Sequence, residues 1–218
     1  MTRSPAQSHD SGRVLLDRAD LRRAVERLGG EIERDFPDGV VLIAVLKGAL
    51  VFLADLAREI HAVDVFVDFL AISRYAPDSG RVRIVQDVQL DLTGRDVVLV
   101  EDLLDTGLTC AYLVRHVQAL GARRVEVCTL LDRPVRRIVP ISPRYVGKAI
   151  DDVFVLGLGL HYRDRYRNLP FVIEAQRGVL ADDPDAYCAW YSNSAEYLRP
   201  EESRNAGDTI PLESEANE

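Results

Sequence analysis

The spacing of apolar positions changes several times along this chain, and each change marks an element. Leu21, Ala24, Val25, Leu28 and Ile32 fall on one helical face, and Asp20 before the run is a suitable N-cap. Val40 to Leu46 is an unbroken apolar run, which predicts a strand buried on both faces. Ala49 to Ile60 returns to helical spacing, with Leu50, Leu53, Ala54 and Ala57 on one side. Val63 to Ile72 is rich in β-branched and aromatic residues and predicts a strand. Arg74 to Arg81, with Pro77, Asp78, Ser79 and Gly80, has the composition of a mobile loop. Strands near Val82–Val85, 97–100 and 125–130 follow, with a helix over 110–120 between the last two. Alternating strands and helices predict an α/β fold, with a largely parallel twisted sheet flanked by helices.

In such sheets ligands collect at the carboxyl ends of the strands. Lys47-Gly48 follows one strand, Glu101-Asp102 a second and Arg133 a third, so all three should reach the same rim. Beyond residue 145 the pattern changes to short strands (Val153–Leu156), aromatics and arginines. Residues 1–12 and 199–218 are polar and carry little apolar content, and both are expected to be disordered. What lies between, 13–198, is expected to form a single domain.

Composition narrows the class. The chain has 218 residues, 47% hydrophobic and 28% charged, which suits one soluble domain with a full core. No apolar segment is long enough to span a bilayer, and the first residues lack the apolar stretch of a signal peptide. Cys110, Cys128 and Cys188 are far apart and lack Cys-x-x-Cys spacing, so they are expected to be reduced thiols in a cytoplasmic protein. A formal net charge of −8 argues against nucleic acid as a partner, and any anionic ligand must be held by local geometry.

The local geometry with most to offer is Val97 to Thr109. Four apolar residues lead into Glu101-Asp102, then Leu103-Leu104, then Asp105-Thr106-Gly107-Leu108-Thr109, then an apolar helical segment. The loop can direct backbone N–H groups and threonine hydroxyls at an anion, beside a helix N-terminus that is partly positive. The acidic pair can hold hydroxyl groups or a hard cation such as Mg²⁺. A site that grips a phosphate and a diol side by side suits a phosphorylated sugar. Asp-Thr-Gly also occurs in aspartic proteases, but that chemistry needs two such carboxylates sharing a proton, and this chain has no second Asp-Thr-Gly.

This run resembles the phosphoribosyl-pyrophosphate signature of type I phosphoribosyltransferases. Leu46 to Phe52, Val67-Asp68-Phe69, Cys128 to Pro134, Phe154 to Gly157 and Arg165 to Pro170 follow in the right order. Over roughly residues 14–180 the chain is similar to the hypoxanthine-guanine phosphoribosyltransferase family. The resemblance implies the type I phosphoribosyltransferase fold, with a core over about 37–147 and a small hood from about 13–36 and 148–190. It implies Mg²⁺-dependent transfer of 5-phosphoribosyl from phosphoribosyl pyrophosphate to N9 of a 6-oxopurine, and a homodimer or homotetramer. Glu101 and Asp102 would then hold the ribose hydroxyls and the metal. Asp105, Thr106, Gly107, Leu108 and Thr109 would hold the 5′-phosphate. Lys47-Gly48, across an unusual cis peptide, and Arg167 would contact pyrophosphate. Asp105 would accept the N7 proton of the base. Arg133, Phe154, Val155 and His161 would surround the base, and Arg74 and Tyr75 would sit on a loop that closes over the reacting centre.

Four positions depart from the family pattern. Arg133 stands where a lysine is usual, His161 where an Asp helps with the metal, Lys148 where an aromatic or apolar residue is usual, and Arg74 where a serine is usual. Together they add positive charge around one expected cavity. Two consequences follow: metal binding leaning on Glu101 and Asp102, and a base that differs from plain hypoxanthine or guanine, such as a 7-deazapurine in nucleoside-analogue biosynthesis. A further alternative is a non-catalytic sensor that keeps the sugar-phosphate pocket.

Overall fold

The computed structural model describes residues 12–73 and 83–192. The expectations for 1–11, for 74–82 and for 193–218 lie outside the described residues, Arg74 and Tyr75 among them. The described chain runs β1 (Arg13–Leu16), α1 (Arg18–Asp35), β2 (Val40–Leu46), α2 (Leu50–Arg58), β3 (Val65–Ser73), β4 (Arg83–Gln86), β5 (Asp96–Leu104), α3 (Leu108–Ala119), β6 (Arg124–Asp132), β7 (Tyr145–Ala149), β8 (Phe154–Leu156), β9 (Val172–Ala175) and α4 (Arg177–Asp182).

Six strands form one sheet in the order β4-β3-β2-β5-β6-β7, parallel except for the antiparallel edge strand β4. Successive residues of a strand face opposite sides, and here both sides are buried. Leu42, Ala44, Val98, Val100, Cys128 and Leu130 pack with Leu21, Val25 and Leu28 of α1 and with Phe52, Leu53 and Leu56 of α2. Val41, Ile43, Val45, Val97, Leu99 and Val127 pack with Leu113 and Val117 of α3 on the other side. That double burial is why β2 reads as an uninterrupted apolar run. Chain order reverses between β2 and β5, since β3 lies on one side of β2 and β5 on the other. The crevice at this reversal is where a parallel sheet offers a ligand site.

Three expectations are corrected. The N-cap of α1 is Asp17, not Asp20: the Asp17 carboxylate accepts from the Asp20 N–H at 2.8 Å, and the Asp20 carboxylate accepts from the Asp17 N–H at 3.2 Å. The two acids cap the helix reciprocally, so it starts a turn earlier than the apolar spacing suggests. In α2 the buried face is Phe52, Leu53 and Leu56, while Leu50 is 45% exposed and Ala54 is exposed too. The larger side chains take the contact with the sheet because they bury more apolar area. Finally, β5 continues to Leu104, so Glu101 and Asp102 lie within the strand, with Glu101 paired to Thr129 and Leu104 to Asp132.

A second, three-stranded antiparallel sheet, β1-β9-β8, joins the two ends of the described chain. Its own core contains Leu156, Tyr166, Phe171, Ile173, Tyr187 and Trp190. Among the described residues no helix is long and apolar enough to cross a membrane.

Away from the crevice, Asp35 at the end of α1 ties that helix to β7. It accepts from Arg144 Nε at 2.7 Å and from the Tyr145 hydroxyl at 2.6 Å. These hydrogen bonds, Arg144 first, hold its carboxyl below the usual carboxylate range. A carboxylate whose pKa is lowered on folding contributes stability above its unfolded pKa and loses it as pH falls through the folded value. Asp35→Asn should therefore lower Tm at pH 7, and the gap from wild type should close as pH drops below about 4. Melting curves across pH 3 to 7 check this; a gap that stays constant with pH would refute it.

Candidate active site

A cleft of about 680 Å³ opens at the carboxyl ends of β2, β5 and β6. Lys47, Gly48, Glu101, Asp102, Asp105 to Thr109, Arg133, Phe154, Val155, His161 and Arg167 all line it. Every described residue to which the resemblance gives a site role is therefore brought to one cavity, within the size range of small-molecule sites. Lys148 is not: it is exposed and its ammonium donates to the Leu15 carbonyl at 3.1 Å. The expectation that it adds charge to the cavity is thus corrected, because its place in β7 directs it toward β1.

At the reversal point, β2 and β5 approach closely. The Leu46–Lys47 peptide is cis. A Cβ added to Gly48 would lie 1.8 Å from Oδ2 of Asp102 and 2.5 Å from its Cγ. Gly48 therefore lets the acidic pair stand against the Lys47-Gly48 loop. Gly48→Ala should push the Asp102 carboxylate out of place and cost at least about tenfold in kcat/KM, while Tm changes little because Asp102 is at the rim. Steady-state rates beside a melting curve test this; wild-type kinetics would refute it.

Glu101 is only 8% exposed, and Asp102 accepts from the Leu103 N–H at 2.9 Å. Beyond them, Asp105 to Gly107 form the turn into α3. Gly107 is the N-cap at φ 82°, a conformation that L side chains rarely adopt. The first-turn N–H groups of α3, which lack partners within the helix, border the cleft there. The Arg137 side chain donates to the Asp105 carbonyl, and the N–H groups of Ile138 and Val139 donate to the Thr106 carbonyl at 2.9 and 3.2 Å. These bonds pin the loop from outside, leaving its inner edge for a ligand.

The Asp105 carboxylate faces two arginines, with Arg133 Nη1 at 3.3 Å and Arg136 Nε at 3.6 Å. Arg133 is 3% exposed; it also donates to the Val153 carbonyl, and among the described residues its Nε has no hydrogen-bond partner. Nearby, Phe154 meets Tyr162 edge-on at 6.2 Å, and the Arg177 guanidinium lies 4.8 Å above the Phe154 ring. A flat aromatic face beside a buried arginine suits a heterocycle that carries hydrogen-bond acceptors.

On the other side of the cleft, Arg167 donates to the Gly159 carbonyl at 2.6 Å and to Asp164 Oδ1 at 2.7 Å. Lys47 Nζ lies 3.9 Å from the same Asp164 oxygen. His161 accepts the Asp164 N–H on Nδ1 at 3.0 Å, which places it with this cluster. Arg163 packs over Tyr162, and Arg165 pairs with Asp185.

Three cleft residues with ionisable side chains are not among the sequence candidates. Asp164 lay within an alternating charged strip, where a solvated face is the ordinary outcome. Arg177 follows a short strand and has no motif of its own. Cys110, expected only to be a reduced thiol, is buried, with burial pushing its thiol pKa up, yet it lines the cleft as well. Only the approach of the second sheet to the first identifies Asp164 and Arg177.

The parallel sheet and its loop at the start of α3 define a phosphoribosyl transferase domain, and the model of that family matches residues 15–163. The chain is 39% identical over 168 residues to the hypoxanthine-guanine phosphoribosyltransferase of Bacillus subtilis, covering 75% of this chain and 93% of the relative. A crystal structure of a hypoxanthine-guanine phosphoribosyltransferase from Bacillus anthracis superposes with a TM-score of 0.72 at 40% identity, over 75% of this chain and 98% of that one. A hypoxanthine phosphoribosyl transferase of Trypanosoma cruzi gives 0.75 at 30% identity, over 82% and 99%. The chain belongs to the phosphoribosyl transferase domain family, within its hypoxanthine-guanine phosphoribosyltransferase branch.

Proposed function

We propose that this protein transfers the 5-phosphoribosyl group of phosphoribosyl pyrophosphate to N9 of hypoxanthine or guanine, giving the nucleoside 5′-monophosphate and pyrophosphate. The observation that carries the reading is the convergence, in one cleft, of the Asp105–Thr109 loop, the Glu101–Asp102 pair and the Phe154 ring. The loop and the start of α3 would hold the 5′-phosphate, and the acidic pair the 2′- and 3′-hydroxyls. C1 of the sugar would then face the base on Phe154 and Val155.

In the reaction, the bond from N9 to C1 forms as the bond from C1 to the pyrophosphate oxygen breaks. The base gives up its N7 proton to Asp105, whose carboxylate is aimed by Arg133 and Arg136. Lys47 and Arg167 offer positive charge to the departing pyrophosphate, which develops charge in the transition state. Orienting both substrates supplies the rest of the acceleration.

The oxygen ligands of Glu101 and Asp102 suit Mg²⁺. Among the described residues no group of three or more His, Cys, Asp or Glu side chains could hold a metal, so Glu101 and Asp102 would share the ion with water and substrate oxygens. When bound, the ion supplies neutralising charge to the pyrophosphate. We also assign a cytoplasmic location, consistent with free Cys110, Cys128 and Cys188, and a homodimer or homotetramer, which light scattering would measure. Neither the modified-base paralogue nor the non-catalytic sensor is favoured by the family relationships.

The test is pyrophosphate release from the donor, with and without Mg²⁺, across hypoxanthine, guanine and modified bases. Release with hypoxanthine or guanine is expected only with the metal. Donor binding without turnover on any base would overturn the reading.

A further inference from the structure

At the basic end of the cleft a carboxylate already faces both cations. One carboxylate oxygen, Oδ1 of Asp164, lies 2.7 Å from Arg167 Nη2, 3.3 Å from its Nε and 3.9 Å from Lys47 Nζ. Lys47 and Arg167 are the two cations assigned to pyrophosphate above, so this inference rests on that assignment. We propose that Asp164 is a built-in counterion for the pyrophosphate subsite: it pairs with Lys47 and Arg167 whenever no donor is bound, gives way when the donor binds, and returns to help product pyrophosphate leave.

Three features of the cluster support an exchangeable counterion over a fixed strut. Arg167 has an anchor independent of Asp164, the Gly159 carbonyl at 2.6 Å, so its guanidinium keeps its place when the carboxylate moves. The exposures differ in the same sense: the Arg167 side chain is 23% exposed and the Asp164 side chain 66%. The partly buried cation stays, and the solvated anion can leave at little cost. The backbone of Asp164 is held separately, by its N–H donating to His161 Nδ1 at 3.0 Å. The side chain can thus swing while the turn stays.

Charge requires competition. A carboxylate and a phosphate oxygen cannot both take the inner face of one guanidinium without repulsion. Hydrogen bonding from Arg167, then the nearby charge of Lys47, holds the Asp164 carboxyl below the usual carboxylate range. It is therefore an anion at neutral pH. The balance serves turnover: cations strong enough to stabilise the leaving group would otherwise retain it as product.

The two possible roles of Asp164 predict opposite signs. If it only positions Arg167, removing its charge weakens pyrophosphate binding. If it competes for Arg167, removing its charge tightens binding. Asp164→Asn suits the test because Asn tolerates the left-handed backbone at this position, φ 63°, as well as Asp does. Asp164→Ser is the second variant, and Asp182→Asn is the control for loss of one exposed charge outside the cleft.

Calorimetric titration of the full-length protein with pyrophosphate in excess Mg²⁺ measures Kd directly. Both Asp164 variants should bind about two- to fivefold more tightly than wild type, the range set by one solvent-exposed ion pair. Asp182→Asn should match wild type, and pyrophosphate should inhibit the Asp164 variants more strongly by the same factor. Equal or weaker binding by both variants, with wild type binding normally, overturns the counterion and leaves the subsite intact. Absence of pyrophosphate binding to wild type and variants alike overturns the subsite itself, and the counterion with it.

Discussion

Replacing both acids of β5, Glu101→Gln with Asp102→Asn, is expected to cut kcat/KM for the sugar donor by about 10²- to 10⁴-fold. Hydrogen bonds to a charged group contribute about 1.5–3 kcal/mol each, and two such carboxylates would be lost together. The amides keep the shape of the acids, so the fold should survive; Glu101 is 8% exposed and Gly48 packs against Asp102, and neither contact changes in volume. Each single variant should fall between wild type and the double variant. Initial rates of pyrophosphate release against donor concentration measure the effect. Undiminished activity in the double variant would remove the acidic pair from the reaction, and with it the assignment of the cleft.

Asp105→Asn is expected to separate binding from chemistry. As general base, Asp105 should be worth about 10²- to 10⁴-fold in kcat, with the donor KM changing far less. Asn retains an oxygen that can accept from Arg133, which otherwise approaches Asp105 at 3.3 Å. The 3%-exposed arginine thus keeps a partner and the loop keeps its anchor. Steady-state kcat and KM, beside direct titration of the donor, distinguish the two roles. A loss confined to donor binding would mean that Asp105 shapes the phosphate loop and takes no proton. The same variant bears on the arginines: if Arg133 and Arg136 aim this carboxylate, Arg136→Gln should lower kcat as well, by a smaller factor, because Arg136 lies farther away at 3.6 Å and is more exposed.

Much of the scaffold was legible because period and burial are linked. β2 appeared with its observed bounds, Val40–Leu46, since a strand covered on both faces carries no polar interruption. α2 was located but turned wrongly: among Leu50, Phe52, Leu53 and Leu56 several stripes compete, and the choice is made by the shape of the sheet it meets. The cap of α1 is Asp17 and not Asp20 because two acids three residues apart both resemble caps and only the backbone distinguishes them. The length of β5 escaped for another reason. Glu101-Asp102 looks like the end of a strand by polarity, but its carboxylates open onto a cleft, so pairing with β6 continues to Leu104.

For the site, the sequence by itself determined everything that lies at the carboxyl end of a core strand: Lys47-Gly48, the Glu101–Asp102 pair, the loop 105–109 and Arg133. Their convergence follows from strand polarity alone. Phe154, Val155, His161 and Arg167 are reached only through the family resemblance, and tertiary structure decided what else crosses the cleft from the second sheet, because that depends on how two sheets meet and not on any local pattern. It set Arg177 over Phe154, turned Lys148 away to Leu15, and brought Asp164 to Arg167 and Lys47. Parallel strands transmit position along the chain, whereas contacts between separate sheets depend on packing, which no single segment encodes.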